Sequence, residues 1–93
     1  MTLSNGDCYG CDFVLCAIGV EPNTDYLKGE VEMDDIGGIV VNEFFQSVDD
    51  ESIYAIGDCC SAAMSEYPLW FQMRLWSQAR VMGSYVSHCI MNL

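Results

Sequence analysis

Ile53-Tyr54-Ala55-Ile56-Gly57-Asp58 is the stretch whose reading decides the fold. Apolar and β-branched residues run directly into a glycine and then a lone carboxylate. This pattern predicts a buried parallel strand whose far end meets a ligand. In an open α/β sheet, ligands gather just beyond the carboxyl ends of the strands. Gly57 would let the backbone approach a bound molecule closely. Asp58 would offer an acceptor to a hydroxyl, such as one on a sugar or ribitol chain. Taken alone, the hexapeptide reads more readily as a strand followed by a plain Gly-Asp turn. Its neighbours therefore decide the matter.

Composition narrows the function classes. The chain has 93 residues, enough for one small domain, and 52% of them are hydrophobic, which excludes a disordered composition. Net charge is −11, with Lys28, Arg74 and Arg80 as its only lysine and arginine residues. Phosphate neutralisation needs Lys and Arg, so direct nucleic-acid binding is not expected. An anionic membrane surface is equally unsuited. No apolar run is long enough to span a bilayer, and the N-terminus shows no basic segment followed by an apolar stretch. Of the six cysteines, Cys16 lies in an apolar run, Cys89 in a helical stripe, and Cys59 and Cys60 are adjacent. These are places for reduced thiols, and the expected location is intracellular, in the cytoplasm with the nucleus as a further compartment. Cys8-Tyr9-Gly10-Cys11 has redox or zinc spacing. It lies between a turn and a strand rather than opening a helix, and no second ligand pair accompanies it, so no metal site is assigned.

Along the chain, Asn5-Gly6 signals a hairpin turn whose second arm is Cys8 to Asp12. Phe13-Val14-Leu15-Cys16-Ala17-Ile18 predicts a buried strand, ended by turn residues around Pro22. Tyr26 and Leu27 suit one helical turn. The acidic residues 28–37 predict a solvated loop. Gly37-Gly38 leads into a short strand, Ile39-Val40-Val41. Beyond Asp58, Ser61-Ala62-Ala63 suggests a tight segment or a first helical turn. The last third is predicted helical, with Leu69, Met73, Trp76, Ala79, Met82 or Gly83, Val86 and Ile90 on one face. The helix begins either after Pro68 or near Ser77, a candidate N-cap. Gly83 is expected to mark close packing.

The order of these pieces carries a resemblance. An apolar strand enters Cys16-Ala17-Ile18-Gly19-Val20-Glu21-Pro22-Asn23-Thr24. Then come Gly38-Ile39-Val40-Val41-Asn42, the Ile53 to Asp58 stretch and a helix. This resembles the later half of FAD-dependent pyridine nucleotide-disulphide oxidoreductases, where an A-x-G-x-x-P-N turn ends the NAD(P)H domain and an I-Y-A-x-G-D strand returns to the FAD domain. The segment Trp70-Phe71-Gln72-Met73-Arg74-Leu75-Trp76-Ser77-Gln78-Ala79-Arg80-Val81-Met82-Gly83 narrows the match within that family.

The resemblance implies an α/β fold: a partial FAD/NAD(P)-binding two-dinucleotide-domain architecture, an incomplete Rossmann-like domain of short strands with one long C-terminal helix. Residues 1–24 would close the NAD(P)H-binding domain, and residues 25–93 would be the returning part of the FAD-binding domain. Asp58 would bond the FAD ribitol, with Gly57 allowing close approach. Backbone at Trp76 and Ser77 would face the pyrimidine edge of the flavin. Ala17, Ile18 and Gly19 would lie where nicotinamide approaches flavin. The cofactors implied are FAD and, in a complete protein, NAD(P)H; no side chain here need be catalytic, because the cofactor carries the chemistry.

No Gly-x-Gly-x-x-Gly fingerprint is present, although the family uses two. The chain therefore reads as a fragment, inactive in isolation, with apolar surface expected to be bare around Val14, Ile18, Ile56 and the helix stripe. Its electron acceptor and any protein redox partner are not specified. The competing reading is a non-catalytic module that pairs through bare strand edges with a full-length homologue, or through its acidic surface with a basic partner. A third is a thiol or metal protein using Cys8, Cys11, Cys59 and Cys60.

Overall fold

A computed structural model describes residues 1–62, 64 and 67–92. Its regular elements are β1 (Ile39–Val41), β2 (Cys60–Ala62) and α1 (Trp76–Met91), with single 3₁₀ turns at Asp25–Leu27 and Gly57–Cys59. β1 and β2 pair in parallel, with Ile39 beside Cys60 and Val41 beside Ala62. The crossover between them carries the hairpin-like excursion of residues 42–56. This is an α/β arrangement: a two-stranded parallel sheet with one long helix.

β1 forms where expected, because three β-branched residues follow the glycine pair. Its second edge is also used. Val40 N–H donates to the Glu32 carbonyl at 3.0 Å, and Val48 N–H donates to the Val40 carbonyl at 3.2 Å. Residues 28–37 are thus not a free solvated loop. Met33 bridges Ile39, and Val31 is buried. Thr24 is buried as well and donates its hydroxyl proton to the Gly37 carbonyl. Tyr26 and Leu27 lie in the expected single turn, and Thr2 bridges Cys8 across the expected Asn5-Gly6 hairpin turn.

Ile53 to Ile56 is not a parallel strand. Only Tyr54 makes a bridge, antiparallel, to Gln46. Ser47 N–H donates to the Ile53 carbonyl and Ala55 N–H to that of Phe45, at 2.8 and 3.0 Å. The segment is spent as the return arm of a local hairpin, so the parallel strand forms after the Gly-Asp turn instead, at Cys60–Ala62. That corrects the expected tight segment or helical turn there; Ala63 lies outside the described residues. Asn42 organises the far end of this hairpin: its side-chain oxygen accepts from Phe44 and Gln46 N–H at 2.9 and 3.0 Å, and Phe45 takes φ 63°.

The helix begins at Trp76, so Leu69 and Met73 of the expected stripe precede it, Leu69 in a turn and Met73 in irregular chain. The deepest helical residues are Met82 and Val86, which join Val31, Ile39, Val41, Phe45, Ala55, Cys60 and Ala62 in the core. Each large apolar side chain buried here contributes about 1.5–3 kcal/mol. Tyr85 meets Phe45 edge-on, with ring centroids 5.9 Å apart. Gly83 faces Ile56, but an added Cβ would still lie 3.5 Å from Ile56 Cδ1, so close packing does not require glycine there. No described helix is long and apolar enough to cross a membrane.

Phe13 to Ile18 departs most from expectation. It forms no strand, and no hydrogen bond joins residues 10–23 to any described residue. The physical reason is a lack of vacant edges: β1 is flanked on both sides, and the outer edge of β2 is occupied by side chains described below. The exposed apolar surface expected at Val14 and Ile18 is present, with Ile18 93% exposed, and Ile56 is 36% exposed; the helix stripe, expected bare, is instead buried at Met82 and Val86 and bare at Trp76 and Ile90. The radius of gyration is 17.6 Å, against about 12 Å for a compact domain of this length. Accessible surface is 7279 Å², against about 5400 Å² for a folded monomer of this mass.

A thermal melt of the 93-residue chain followed by circular dichroism is expected to be broad, with dye binding to exposed apolar surface before the transition. A single sharp transition without dye binding would contradict it.

Candidate functional site

The Gly57–Cys59 turn sits against the first half of α1. Gly57 adopts φ +74°, a conformation that L side chains rarely take. A Cβ added there would come within 3.3 Å of Ala79 Cβ, so glycine serves both the backbone angle and the approach to the helix. Gly57 N–H points at Met82 Sδ, 3.2 Å away. Asp58 is exposed, and no described residue donates a hydrogen bond to its carboxylate, while its own carbonyl accepts from Arg74 Nε at 3.1 Å. The turn thus presents a free carboxylate from a rigid seat.

The seat is built from residues that motif reading did not single out. Between Leu69 and Leu75 the chain is non-helical, and exposed and half-buried residues alternate. Trp70, Gln72 and Arg74 turn toward β2; Leu69, Phe71, Met73 and Leu75 face out, Leu69 being 93% exposed. Gln72 behaves like a strip of neighbouring strand: its Oε1 accepts from Ala62 N–H at 3.0 Å, and its Nε2 donates to the Cys60 carbonyl at 2.8 Å. Trp70 Nε1 donates to the Ala62 carbonyl at 3.0 Å. Arg74 Nη2 donates to the Cys60 carbonyl and to Ser61 Oγ, both at 3.2 Å. The period-two alternation from Leu69 to Leu75 was the available signal, hidden because the same residues also fit a helical stripe.

Across β2, the turn at Asp34 to Gly38 closes the other side. Asp34 Oδ1 accepts from Gly38 N–H at 2.8 Å and from Ile36 N–H at 3.2 Å. A Cβ on Gly38 would collide with Ser61 Oγ and lie 3.2 Å from Arg74 Nη2. Burial raises the Asp34 pKa, but the Ser61 hydroxyl, the two N–H groups and the Arg74 charge together outweigh it and leave the carboxyl below its usual value.

Trp76 and Ser77, expected near the flavin edge, open α1. Leu75 is the N-cap and provides no side-chain cap, and the first turn holds no acidic residue. Among the described residues, the N–H groups of Trp76, Ser77 and Gln78 meet no acceptor, while the Gln78 side chain reaches back to Met73 N–H at 2.8 Å. Such an end favours an anionic or acceptor-rich ligand. Trp76 is 83% exposed rather than core. Ala17, Ile18 and Gly19 lie in the exposed arm, with Gly19 at φ +95°, and are not hydrogen-bonded to this turn. A separate groove of about 780 Å³ runs along α1 between Phe44, Tyr67, Trp70 and Tyr85; Ser77 is the one expected cofactor residue lining it.

All six cysteines are free. Cys60 is fully buried and donates to the Gly57 carbonyl at 3.3 Å. Burial, aided by neighbouring Cys59, pushes its thiol pKa up to about 11. It is an inert structural thiol.

Residues 1–83 match the family model described as pyridine nucleotide-disulphide oxidoreductase. The chain belongs to that family. It is 42% identical, over 97% of its length, to pyridine nucleotide-disulfide oxidoreductase domain-containing protein 1 of Dictyostelium discoideum. It is 46% identical over 95% of its length to the protein of that name from Rattus norvegicus. A rubredoxin-NAD(+) reductase of Acinetobacter baylyi is 36% identical over 94% of this chain and is itself covered to 21%. The chain spans 18% of the length of each of the first two relatives.

Two outcomes are expected. Alkylation at pH 8, followed by mass spectrometry, should modify Cys60 last, because only about one thiol in a thousand is ionised three units below its pKa. Early modification would show the β2 packing to be open. Asp34 binds its proton less readily folded than unfolded, so its contribution is present above the usual value of 3.8 and is lost as pH falls through the lowered folded value. Amide exchange at Gly38, compared between the wild type and Asp34→Asn, should therefore differ at neutral pH and converge in acid.

Proposed function

We propose that this chain supplies the FAD-ribitol and flavin-edge contacts of an FAD-dependent, NAD(P)H-using oxidoreductase. The observation that carries the reading is the Gly57–Asp58 turn: a free, exposed carboxylate beside a left-handed glycine, seated on the uncapped half of a helix. Family membership supports it, and so does the nicotinamide nucleotide in the printed name of the rubredoxin-NAD(+) reductase relative.

The residues fit the group. Asp58 has its acceptor oxygens free for ribitol hydroxyls. Phe71, Met73, Leu75 and Trp76 offer exposed apolar surface that leads into the unpaired N–H groups of α1, which suits a flat ring with a polar edge. Bound flavin would accept a hydride from reduced nicotinamide and pass the electrons to an acceptor. The chain's own part is to hold and orient: Asp58 fixes the polyol, and the helix end favours negative charge at the flavin's pyrimidine edge. Residues 1–24 are assigned to the close of a nicotinamide-nucleotide domain, with Ala17, Ile18 and Gly19 at the crossing, and residues 25–93 to the returning part of the FAD domain. Together they would form part of a two-dinucleotide-domain fold. The proposed location is intracellular.

The bare arm favours a second reading, pairing with a larger homologue: Phe13 and Leu15 are more than four-fifths exposed, at 81% and 83%.

Titrating the chain with FAD and following flavin fluorescence tests the first reading. Saturable uptake is expected, with a rise in the melting midpoint by linkage. Asp58→Asn should weaken uptake by about tenfold, because a neutral amide oxygen replaces a charged acceptor and its second oxygen becomes a donor. A colourless chain that takes up no flavin but co-purifies with a larger homologue would overturn it in favour of the second.

A further inference from the structure

The row of side chains along β2 does more than close a sheet edge. Gln72 and Arg74 reach not only the strand but also the turn that precedes it. Gln72 Nε2 lies 3.4 Å from the Gly57 carbonyl as well as 2.8 Å from that of Cys60. Arg74 Nε holds the Asp58 carbonyl at 3.1 Å while Nη2 holds the Cys60 carbonyl and Ser61 Oγ. The carbonyls on either side of Cys59, together with that of Gly57, are thus gripped from one side by two planar groups. Met82 Sδ meets Gly57 N–H from the helix side.

We infer that Gln72 and Arg74 are positioning residues for Asp58: they fix the backbone of residues 57–61 so that the Asp58 carboxylate is held ready for its ligand. Neither side chain donates to the carboxylate itself, so both act through the main chain. Arg74 suits this task because its guanidinium presents donors in a rigid fork, which here spans carbonyls two residues apart; a lysine ammonium offers a single point. Gln72 suits it because one amide supplies a donor and an acceptor at peptide spacing. Arg74 is one of only three strong cations in the chain, yet its donors are engaged by neutral acceptors. Its charge is spent on geometry and on the neighbouring Asp34.

The inference rests on the assignment of Asp58 to FAD, and the test separates the two. FAD affinity of the full 93-residue chain would be measured by fluorescence titration for the wild type, Gln72→Glu, Arg74→Lys and Asp58→Asn, and for Gln72→Glu and Arg74→Lys each combined with Asp58→Asn. Gln72→Glu keeps the acceptor and removes the donor; Arg74→Lys keeps the charge and removes the fork. Far-UV circular dichroism checks that secondary structure is retained. Each positioning variant is expected to weaken FAD by about tenfold in the wild-type background and by about twofold or less in the Asp58→Asn background, because both routes end at one carboxylate. The resolution of the bound flavin's visible band should fall in parallel. Equal losses in both backgrounds would overturn the positioning role while leaving the FAD assignment standing. An Asp58→Asn chain that binds as the wild type does would overturn the FAD assignment, and the inference with it.

Discussion

The outer edge of β2 is the constraint on which the rest of this structure depends. A parallel strand of three residues, paired on one side only, would leave carbonyl and N–H groups without partners. Buried backbone groups without partners cost about 1–3 kcal/mol each. Here the missing strand is replaced by side chains: Trp70, Gln72 and Arg74 meet the Cys60 and Ala62 backbone in its place. Because these residues alternate toward β2, residues 70–75 stay out of the helix, and α1 begins only at Trp76. The position of the helix start, and with it the placing of unpaired N–H groups near the Gly-Asp turn, follows from satisfying one strand edge.

The same arrangement explains why the arm at residues 10–23 is bare. A run such as Phe13 to Ile18 is apolar on both faces and suits a strand with neighbours on each side and covering layers above and below. β1 is already paired with β2 and with segments around Glu32 and Val48, and β2 is closed by side chains. The arm has a strand's sequence and no strand to join. An extended molecule with surface well above that of a compact domain is the direct result.

Around the turn, polar and apolar restraints share the load. Met82 and Ala79 set the depth at which Gly57 rests on the helix, while the Asp34 turn and Arg74 confine Ser61 from opposite sides. Cys60, between them, is sealed and unreactive, so adjacent cysteines near a redox-family motif serve packing at this position. Among the described residues, no donor reaches the Asp58 carboxylate, which stays exposed while the backbone beside it is held.

Much of this was legible in residue order. Three β-branched residues after a glycine pair make β1 wherever the chain goes, Asn5-Gly6 makes a turn from its own φ preferences, and the stripe through Met82 and Val86 identifies the buried face of α1. The Gly57-Asp58 turn was legible from its glycine, which takes the positive φ that few residue types tolerate, and its carboxylate is exposed. The strand itself was misplaced. Ile53 to Ile56 has the stronger strand composition, yet its hydrogen bonds go to the Phe45–Ser47 arm, leaving the weaker Cys60-Ser61-Ala62 to pair with β1. Leu69 and Met73 fitted a helix period, yet the tertiary hydrogen bonds of Trp70, Gln72 and Arg74 keep this segment out of the helix. Local sequence determined which segments could be strand, turn or helix and where a positive-φ glycine places an exposed carboxylate. Tertiary structure alone decided which strand found a partner, where the helix began and what holds Asp58 in place, because those outcomes depend on competition for backbone hydrogen bonds between residues far apart in the chain.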